Sequence, residues 1–206
     1  MNARFLRRWR RHLILLIATL RCRWFARTDV ARWSLATEFE SSWDERARIA
    51  ASLIPAGTRV FDFGAGTRNL ERFLDHSCCY TPCDVVPRGP GTVLLDLNRR
   101  PLPSIDNADV AVFCGVLEYV RDVDGVVHWL VSHFGTCIAS YNCATSRKGT
   151  LARRRESLSR AVNGWVSTID EPELRAIFAA EGFELVARHR GATSNGDEPI
   201  FMFRRT

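Results

Sequence analysis

The chain has 206 residues, 46% hydrophobic and 25% charged, which is an ordinary globular balance and length enough for one domain with a sizeable core. Its net charge of +6 is unevenly placed: residues 1–27 hold eight of the 29 basic side chains, all Arg, and no acid, so the remaining 21 face 23 acids and the body is close to neutral. Composition therefore excludes an evenly basic protein and assigns the basicity to an N-terminal arm, residues 1–40, ahead of a domain over 41–206. The seven Cys form no C-x-x-C pair and the five His show no metal-ligand spacing, so the Cys read as reduced core thiols of a cytosolic protein, with no metal expected.

In the arm, Arg7-Arg8-Trp9-Arg10-Arg11 precedes the apolar run Leu13–Leu20. Eight residues fall well short of the roughly twenty that span a bilayer. Charge before a short apolar run imitates a secretory signal, but no small-x-small cleavage site follows; the run meets Arg21-Cys22-Arg23-Trp24. Read as a helix, Phe5, Trp9, Leu13, Leu16, Leu20 and Trp24 form one apolar stripe with Arg on its flanks. Such a helix suits peripheral contact with an anionic membrane surface through residues 1–27, or packing on the domain with its Arg stems reaching out to water. Nucleic-acid phosphates are a disfavoured third partner.

The body alternates helical and strand signals. Ser42 and Glu45 suggest a capping box opening a helix to about Leu53, ended by Pro55 and Gly57. Val60–Phe63 reads as a buried strand, Arg68–Leu74 as a short helix, the stretch around Tyr80 as a second strand weakened by Pro82, Thr92–Leu95 as a third and Ala108–Phe113 as a fourth. Val123–Phe134 reads as a helix, Thr136–Tyr141 as a strand and Arg147 to about Ala161 as a basic helix. Asp170-Glu171-Pro172-Glu173 caps another helix that Gly182 stops, before strands at Phe183–Arg188 and Ile200–Arg204. This alternation predicts an α/β fold: a doubly wound, Rossmann-like, mostly parallel sheet with helices on both faces, plus the N-terminal basic amphipathic helix.

The most informative stretch is Asp62-Phe63-Gly64-Ala65-Gly66-Thr67, an apolar strand ending in an acid and turning through two glycines. Asp84 follows Gly64 by 20 residues, about the spacing at which a Rossmann-type unit sets a carboxylate on a ribose. Asp96 ends the next apolar run, and Phe113-Cys114-Gly115-Val116-Leu117-Glu118-Tyr119-Val120 ends the fourth strand. In these four ordered segments, from about Trp43 to the C-terminus, the chain resembles the class I S-adenosylmethionine-dependent methyltransferases. Within that group Leu95-Asp96-Leu97-Asn98 and Ser140-Tyr141-Asn142 look most like the small enzymes similar to the MetW type.

The resemblance implies a seven-stranded sheet whose last strand is antiparallel, and S-adenosylmethionine as cofactor. It implies that Gly64, Ala65 and Gly66 pass close to the donor's methionine part and that Asp62 orients its ammonium group. Asp84 would accept from the ribose hydroxyls and Asp96 from the adenine amino group. Leu97 would offer a backbone donor, and Phe113 and Cys114 would line the floor near the sulfonium. Arg68 stands where the family commonly has a third Gly. A cytosolic donor implies a cytoplasmic protein, peripheral on the inner face of the membrane if the arm binds lipid.

Methyl transfer needs alignment more than covalent help, and a base only if the acceptor is protonated. Glu118 and Tyr119 are the catalytic candidates; Tyr141 reads as rim or core, and His128 and His133 as a helix face. The Asn/Asp-Pro-Pro-aromatic run of amino-nucleobase enzymes and the Pro-Cys of cytosine C5 enzymes are both missing after the fourth strand, which points to a small-molecule, lipid or saccharide acceptor. Residues between Tyr141 and Trp165, with Trp33, Phe39 and Trp43, are candidates for its lid. Two rivals stand beside this reading. A nicotinamide oxidoreductase is disfavoured by Asn69 at the third Gly site of a dinucleotide fingerprint. The other is a non-catalytic, methyltransferase-like binding protein docked to a membrane or partner by its basic helix.

Overall fold

The computed structural model describes residues 3–25, 27–35, 43–193 and 196–206. The expected Ser42 cap and Phe39 lie outside them. Seven strands, β1 (Arg59–Phe63), β2 (Cys79–Asp84), β3 (Val93–Leu94), β4 (Val110–Cys114), β5 (Thr136–Ser140), β6 (Phe183–Thr193) and β7 (Gly196–Arg205), form one sheet in the order β3-β2-β1-β4-β5-β7-β6. The pairs among β1–β5 are parallel, and β7 is antiparallel to both β5 and β6, as the resemblance implies. The helices are α1 (Ala3–Phe25), α2 (Val30–Trp33), α3 (Trp43–Ser52), α4 (Val123–Leu130), α5 (Leu151–Val162) and α6 (Glu171–Ala180).

Period-two alternation splits the core between the two faces of the sheet. Val60, Val110, Val112, Ile138, Ile200 and Met202 pack with Ala50, Ala51 and Ile54 at α3. Phe61, Phe63, Ala111, Phe113, Phe201 and Phe203 pack with Val126, Val127 and Leu130 of α4 and with Leu174 and Phe178 of α6. Two ring stacks fix this second face, Phe63 on Phe113 at 4.6 Å between centroids and Phe178 on Phe203 at 3.8 Å. Asp170 caps α6 in the predicted box: its side chain accepts from the Glu173 amide, and the Glu173 carboxylate accepts from the Asp170 amide.

Several boundaries differ from expectation for local reasons. The segment read as a helix from Arg68 is only a 3-10 turn at Leu70–Arg72, because Arg68 itself takes a left-handed φ of 59° that no helix accommodates. Helix α4 stops at Leu130, whose carbonyl accepts from both the His133 and Phe134 amides. Helix α5 begins at Leu151, where Thr150 Oγ1 accepts from the Arg153 amide, not at Arg147. Pro82 is accommodated because β3 pairs only with Cys83 and Asp84, leaving the Pro82 stretch of β2 at the sheet edge. Strands β6 and β7 extend beyond their expected ends as one long hairpin with a bulge between Leu185 and Ala187.

Helix α1 packs against α5, tied by Arg23, which donates to the carbonyls of Val166 at 3.0 Å and Trp165 at 3.1 Å. The face that packs is not the apolar stripe. Thr19 is buried, and His12, Leu15, Cys22 and Arg23 turn inward, whereas Trp9, Leu13, Leu20 and Trp24 of the stripe are exposed.

Because Phe178 is fully buried and stacked, Phe178→Ala should lower unfolding free energy by about 3–5 kcal/mol in urea titration. A loss below about 1 kcal/mol would mean that α6 is not seated on β7 as described.

Candidate active site

The chain lays β1, β2 and β3 outward in one direction, then returns to place β4 on the other side of β1. A crevice opens there beyond the carboxyl ends of the strands. A cavity of about 720 Å³ occupies it, a volume typical of small-molecule sites. Its walls come from the ends of β1, β2 and β4, from the segment after β3 and from the arm.

Asp62, at the end of β1, is buried and accepts from the Tyr80 hydroxyl at 2.7 Å. Burial pushes its carboxyl up to about 7, against the stabilising Tyr80 hydrogen bond and with a further upward push from Asp84. Gly64 then turns with φ of 67°, and a Cβ there would come within 2.5 Å of Val116 Cγ2, so only glycine lets the turn pass the β4 loop this closely. The Ala65 amide donates back to the Cys83 carbonyl at 3.0 Å and the Gly66 amide to Asp84 Oδ2 at 3.0 Å. Arg68 does not narrow the cavity. Its guanidinium reaches outward to Glu71 at 2.8 Å and lies over the Tyr80 ring.

Asp84 ends β2 in the cavity wall, but its oxygens already have donors. Arg88 Nε reaches Oδ2 at 3.0 Å, the Val86 amide reaches Oδ1 at 3.1 Å, and Arg88 also donates to the Trp33 carbonyl in the arm at 2.8 Å. Asp96 lies one layer back. Thr28 Oγ1 of the arm donates to its Oδ1 at 2.5 Å, and the Asn98 amide donates to the same oxygen at 3.0 Å. Leu95, Leu97 and Asn98 line the cavity at this end.

At the β4 end a buried polar cluster forms the floor. Arg46 of α3 donates to both Glu198 oxygens, at 2.9 and 3.0 Å. Ser140 Oγ donates to Glu198 Oε1 at 2.6 Å and accepts from the Gly115 amide at 2.8 Å. Glu118 Oε1 accepts from the Asn142 amide at 2.7 Å, while its Oε2 is buried with no hydrogen-bond partner among the described residues. Burial, then the neighbouring Glu198 charge, pushes the Glu118 carboxyl up to about 7. Aromatic rings stand over this floor. Tyr119 meets Trp33 edge-on at 4.8 Å and accepts from Trp165 Nε1 at 3.2 Å, and the Arg32 guanidinium lies 4.8 Å from the Trp33 ring. Burial pushes Tyr119 and Cys114 each up to about 12, so neither is ionised near neutral pH.

Of the residues singled out in the sequence, Asp62, Gly64, Ala65, Gly66, Asp84, Leu97, Cys114, Glu118 and Tyr119 come together around this cavity. Two do not reach it. Asp96 is screened by Thr28, and Phe113 points to the opposite face of β4, where it stacks on Phe63. Tyr141 is fully buried and bonded to Ser167 and Ile169, and His128 is exposed against Glu181. Of the expected lid, Trp33, Trp43, Val162, Asn163 and Trp165 line the cavity. Sequence reading missed Arg46, Arg88, Glu198 and the arm residues His12, Leu15, Thr28 and Arg32. The Asp84–Arg88 spacing was visible but common, and nothing local marks Arg46 and Glu198 as partners. Among the described residues no group of His, Cys, Asp and Glu is arranged to hold a metal ion.

Comparison with curated sequences returns no match. Among solved structures, the 1,6-didemethyltoxoflavin-N1-methyltransferase of Burkholderia thailandensis, solved with bound 1,6-didemethyltoxoflavin and S-adenosylhomocysteine, is similar at TM-score 0.62 and 18% identity, over 92% of this chain and 88% of that one. The magnesium protoporphyrin IX methyltransferase of Synechocystis PCC 6803, with S-adenosylhomocysteine bound, is similar at TM-score 0.59 and 16% identity, over 80% and 84%. Mitomycin 7-O-methyltransferase is similar at TM-score 0.59 and 17% identity, over 95% and 68%. At these identities the likeness concerns the fold. A family described as a methyltransferase domain matches residues 25–188. Since that match takes in the Gly64–Gly66 turn, the ends of β2 and β4 and most of the sheet, the chain belongs to the methyltransferase-domain family, built on the class I S-adenosylmethionine-dependent fold.

Proposed function

We propose that this protein transfers a methyl group from S-adenosylmethionine to a small-molecule acceptor, lipid and saccharide intermediates included, bound in the same cavity. The observation that carries this reading is one cavity with two chemically distinct ends: Asp62 and Asp84 around a glycine turn at one, and Glu118 under an aromatic cage at the other. The structural relatives named above act on small molecules, which supports the acceptor class.

The residues fit the donor. Asp62 and Asp84 are carboxylates with cavity-facing positions, suited to an ammonium group and to ribose hydroxyls. The Gly66 and Val86 amides hold Asp84 in place, and Arg88, on a long flexible stem with a second partner at Trp33, is the donor that yields to a ribose. The Gly64–Gly66 turn would hold the amino-acid part and Leu97 the nucleobase edge. Asp96 acts at that edge through Thr28. When bound, the donor supplies a methyl group on a sulfonium, already a good leaving group.

The protein's own contribution is alignment, exclusion of water and disposal of one proton. Trp33, Tyr119 and Trp165 cover the acceptor end and confine a flat or apolar acceptor. Glu118 receives the acceptor's proton at Oε2, the oxygen without a partner, and its elevated proton affinity matches a base that works near neutrality. A binding protein without turnover is the second reading, favoured by the Asp84–Arg88 pair that occupies the ribose position. In the second reading the basic N-terminal helix docks the protein to a membrane or partner.

Asp84→Asn keeps the size of the side chain and removes its charge. Calorimetry with S-adenosylhomocysteine should show affinity falling roughly tenfold or more, as expected for loss of a hydrogen bond to a charged group; unchanged affinity would remove Asp84 from the donor site.

Glu118 gives a prediction with a defined sign. Its folded pKa lies above the ordinary 4.5, so the folded state prefers the protonated form, and stability falls as pH rises from about 4.5 to about 7. Asp62, whose carboxyl is also pushed up to about 7, contributes a fall of the same sign, so Glu118→Gln should shrink the fall in melting temperature and leave the Asp62 part. With any acceptor that the wild type turns over, it should also flatten the rise in rate through about pH 7. Turnover by the variant at wild-type rate with the same pH profile would rule out Glu118 as the base.

A further inference from the structure

The amphipathicity of α1 is turned inside out relative to an ordinary surface helix. On a helical projection at 100° per residue, Trp9, Leu13, Ile17, Leu20 and Trp24 lie within a sector about 80° wide. His12, Leu15, Thr19, Cys22 and Arg23 lie on the side that meets the domain. All five members of the first set are exposed, Ile17 by 51% and Trp24 by 81%. The stripe runs for sixteen residues, Trp9 to Trp24, about 22 Å of helix, and ends at a further exposed ring, Phe25. A packed helix that presents its apolar sector to water is built for a surface that is not part of its own domain.

The charges choose the surface. Arg10 and Arg21 are exposed and sit at one edge of the stripe, Arg27 is exposed beyond its end, and residues 1–27 contain no acid. Helix α5, packed against α1, adds exposed Leu151 and Leu158 together with exposed Arg154 and Arg155. A second copy of the chain pairing through this face would set Arg against Arg with no α1 carboxylate to offset the repulsion. An anionic lipid surface supplies both complements, acyl chains for the rings and branched side chains and headgroup phosphates for the guanidiniums. Although α1 has 23 residues, Arg along its length leaves it too polar for a bilayer span, and no described helix is long and apolar enough to cross a membrane.

We infer that the stripe Trp9–Leu13–Ile17–Leu20–Trp24 is a docking surface on which the folded protein lies flat on an anionic bilayer. This names the face and the lipid charge for the arm, and does not depend on donor chemistry. Because His12 and Leu15 on the opposite side of the same helix line the cavity, the docked helix is also a wall of the active site.

The test is vesicle flotation of the full chain and of the double variant Ile17→Gln, Trp24→Gln, both positions being exposed and glutamine a good helix former. The probes are vesicles of phosphatidylcholine alone and of phosphatidylcholine mixed with phosphatidylglycerol. Wild type should float with the mixed vesicles, about tenfold or more tightly than with phosphatidylcholine alone, and high salt and the double variant should each abolish most of that binding. Wild type remaining in the aqueous fraction, or the double variant floating as well as wild type, overturns the inference. So does a wild-type dimer that the double variant converts to a monomer while neither floats, since the occupant would then be a second copy. S-adenosylhomocysteine binding, measured without vesicles on both proteins, separates the two readings. Failed flotation with intact nucleoside binding removes only the docking surface, and flotation without nucleoside binding removes only the donor reading.

Discussion

The site exists because the chain reverses its direction of winding at β1. With β2 on one side of β1 and β4 on the other, a crevice opens at the carboxyl ends of these strands, and α1, α2 and α3 contribute to its walls. Parallel strands bury both faces, so the acid at the end of β1 sits at the margin of an apolar sheet. That setting explains both the burial of Asp62 and the upward push on its carboxyl. Gly64, Gly66 and Asp84 take their places from the same geometry, since the turn after β1 must bring its amides against the end of β2.

The second organising feature is an excess of buried acid at the floor. One guanidinium, Arg46, faces two carboxylates, Glu198 and Glu118, and it bonds only to the first. Gly115 makes room for it, because a Cβ there would lie 2.6 Å from Arg46 Nη1. Buried ion pairs are weak contributors to net stability, so the pair is better understood as positioning. It fixes Ser140 and the Gly115 amide, and it leaves Glu118, which lines the cavity, with its carboxyl pushed up to about 7.

The parts of this arrangement that were legible in the sequence are those with short-range signatures. Short, near-continuous apolar runs marked the strands, Asp170 and Glu173 marked the α6 cap, and the glycines and strand-end acids carried the resemblance. The Arg at the third glycine position was legible as a departure but not as a φ of 59° with its side chain turned outward. The Arg46–Glu198 contact joins residues 152 apart and has no local trace. Occupation of Asp84 by Arg88 and of Asp96 by Thr28 depends on how the arm folds back. For α1 the periodicity located the apolar stripe but not its environment. Amphipathicity says that such a face seeks cover, and only the three-dimensional arrangement, with Arg23 reaching α5 and the following loop, reveals that the domain covers the other side.

The most direct test is a crystal structure of the full chain grown with saturating S-adenosylhomocysteine. The account predicts the nucleoside between the Gly64–Gly66 turn and Leu97, with its ribose on Asp84, Arg88 displaced from that carboxylate, and the sulfur facing the cavity end formed by Glu118, Tyr119 and Trp33. Density for the nucleoside anywhere else, or the Asp84–Arg88 pair intact with the β1–β4 crevice empty at saturation, would contradict it.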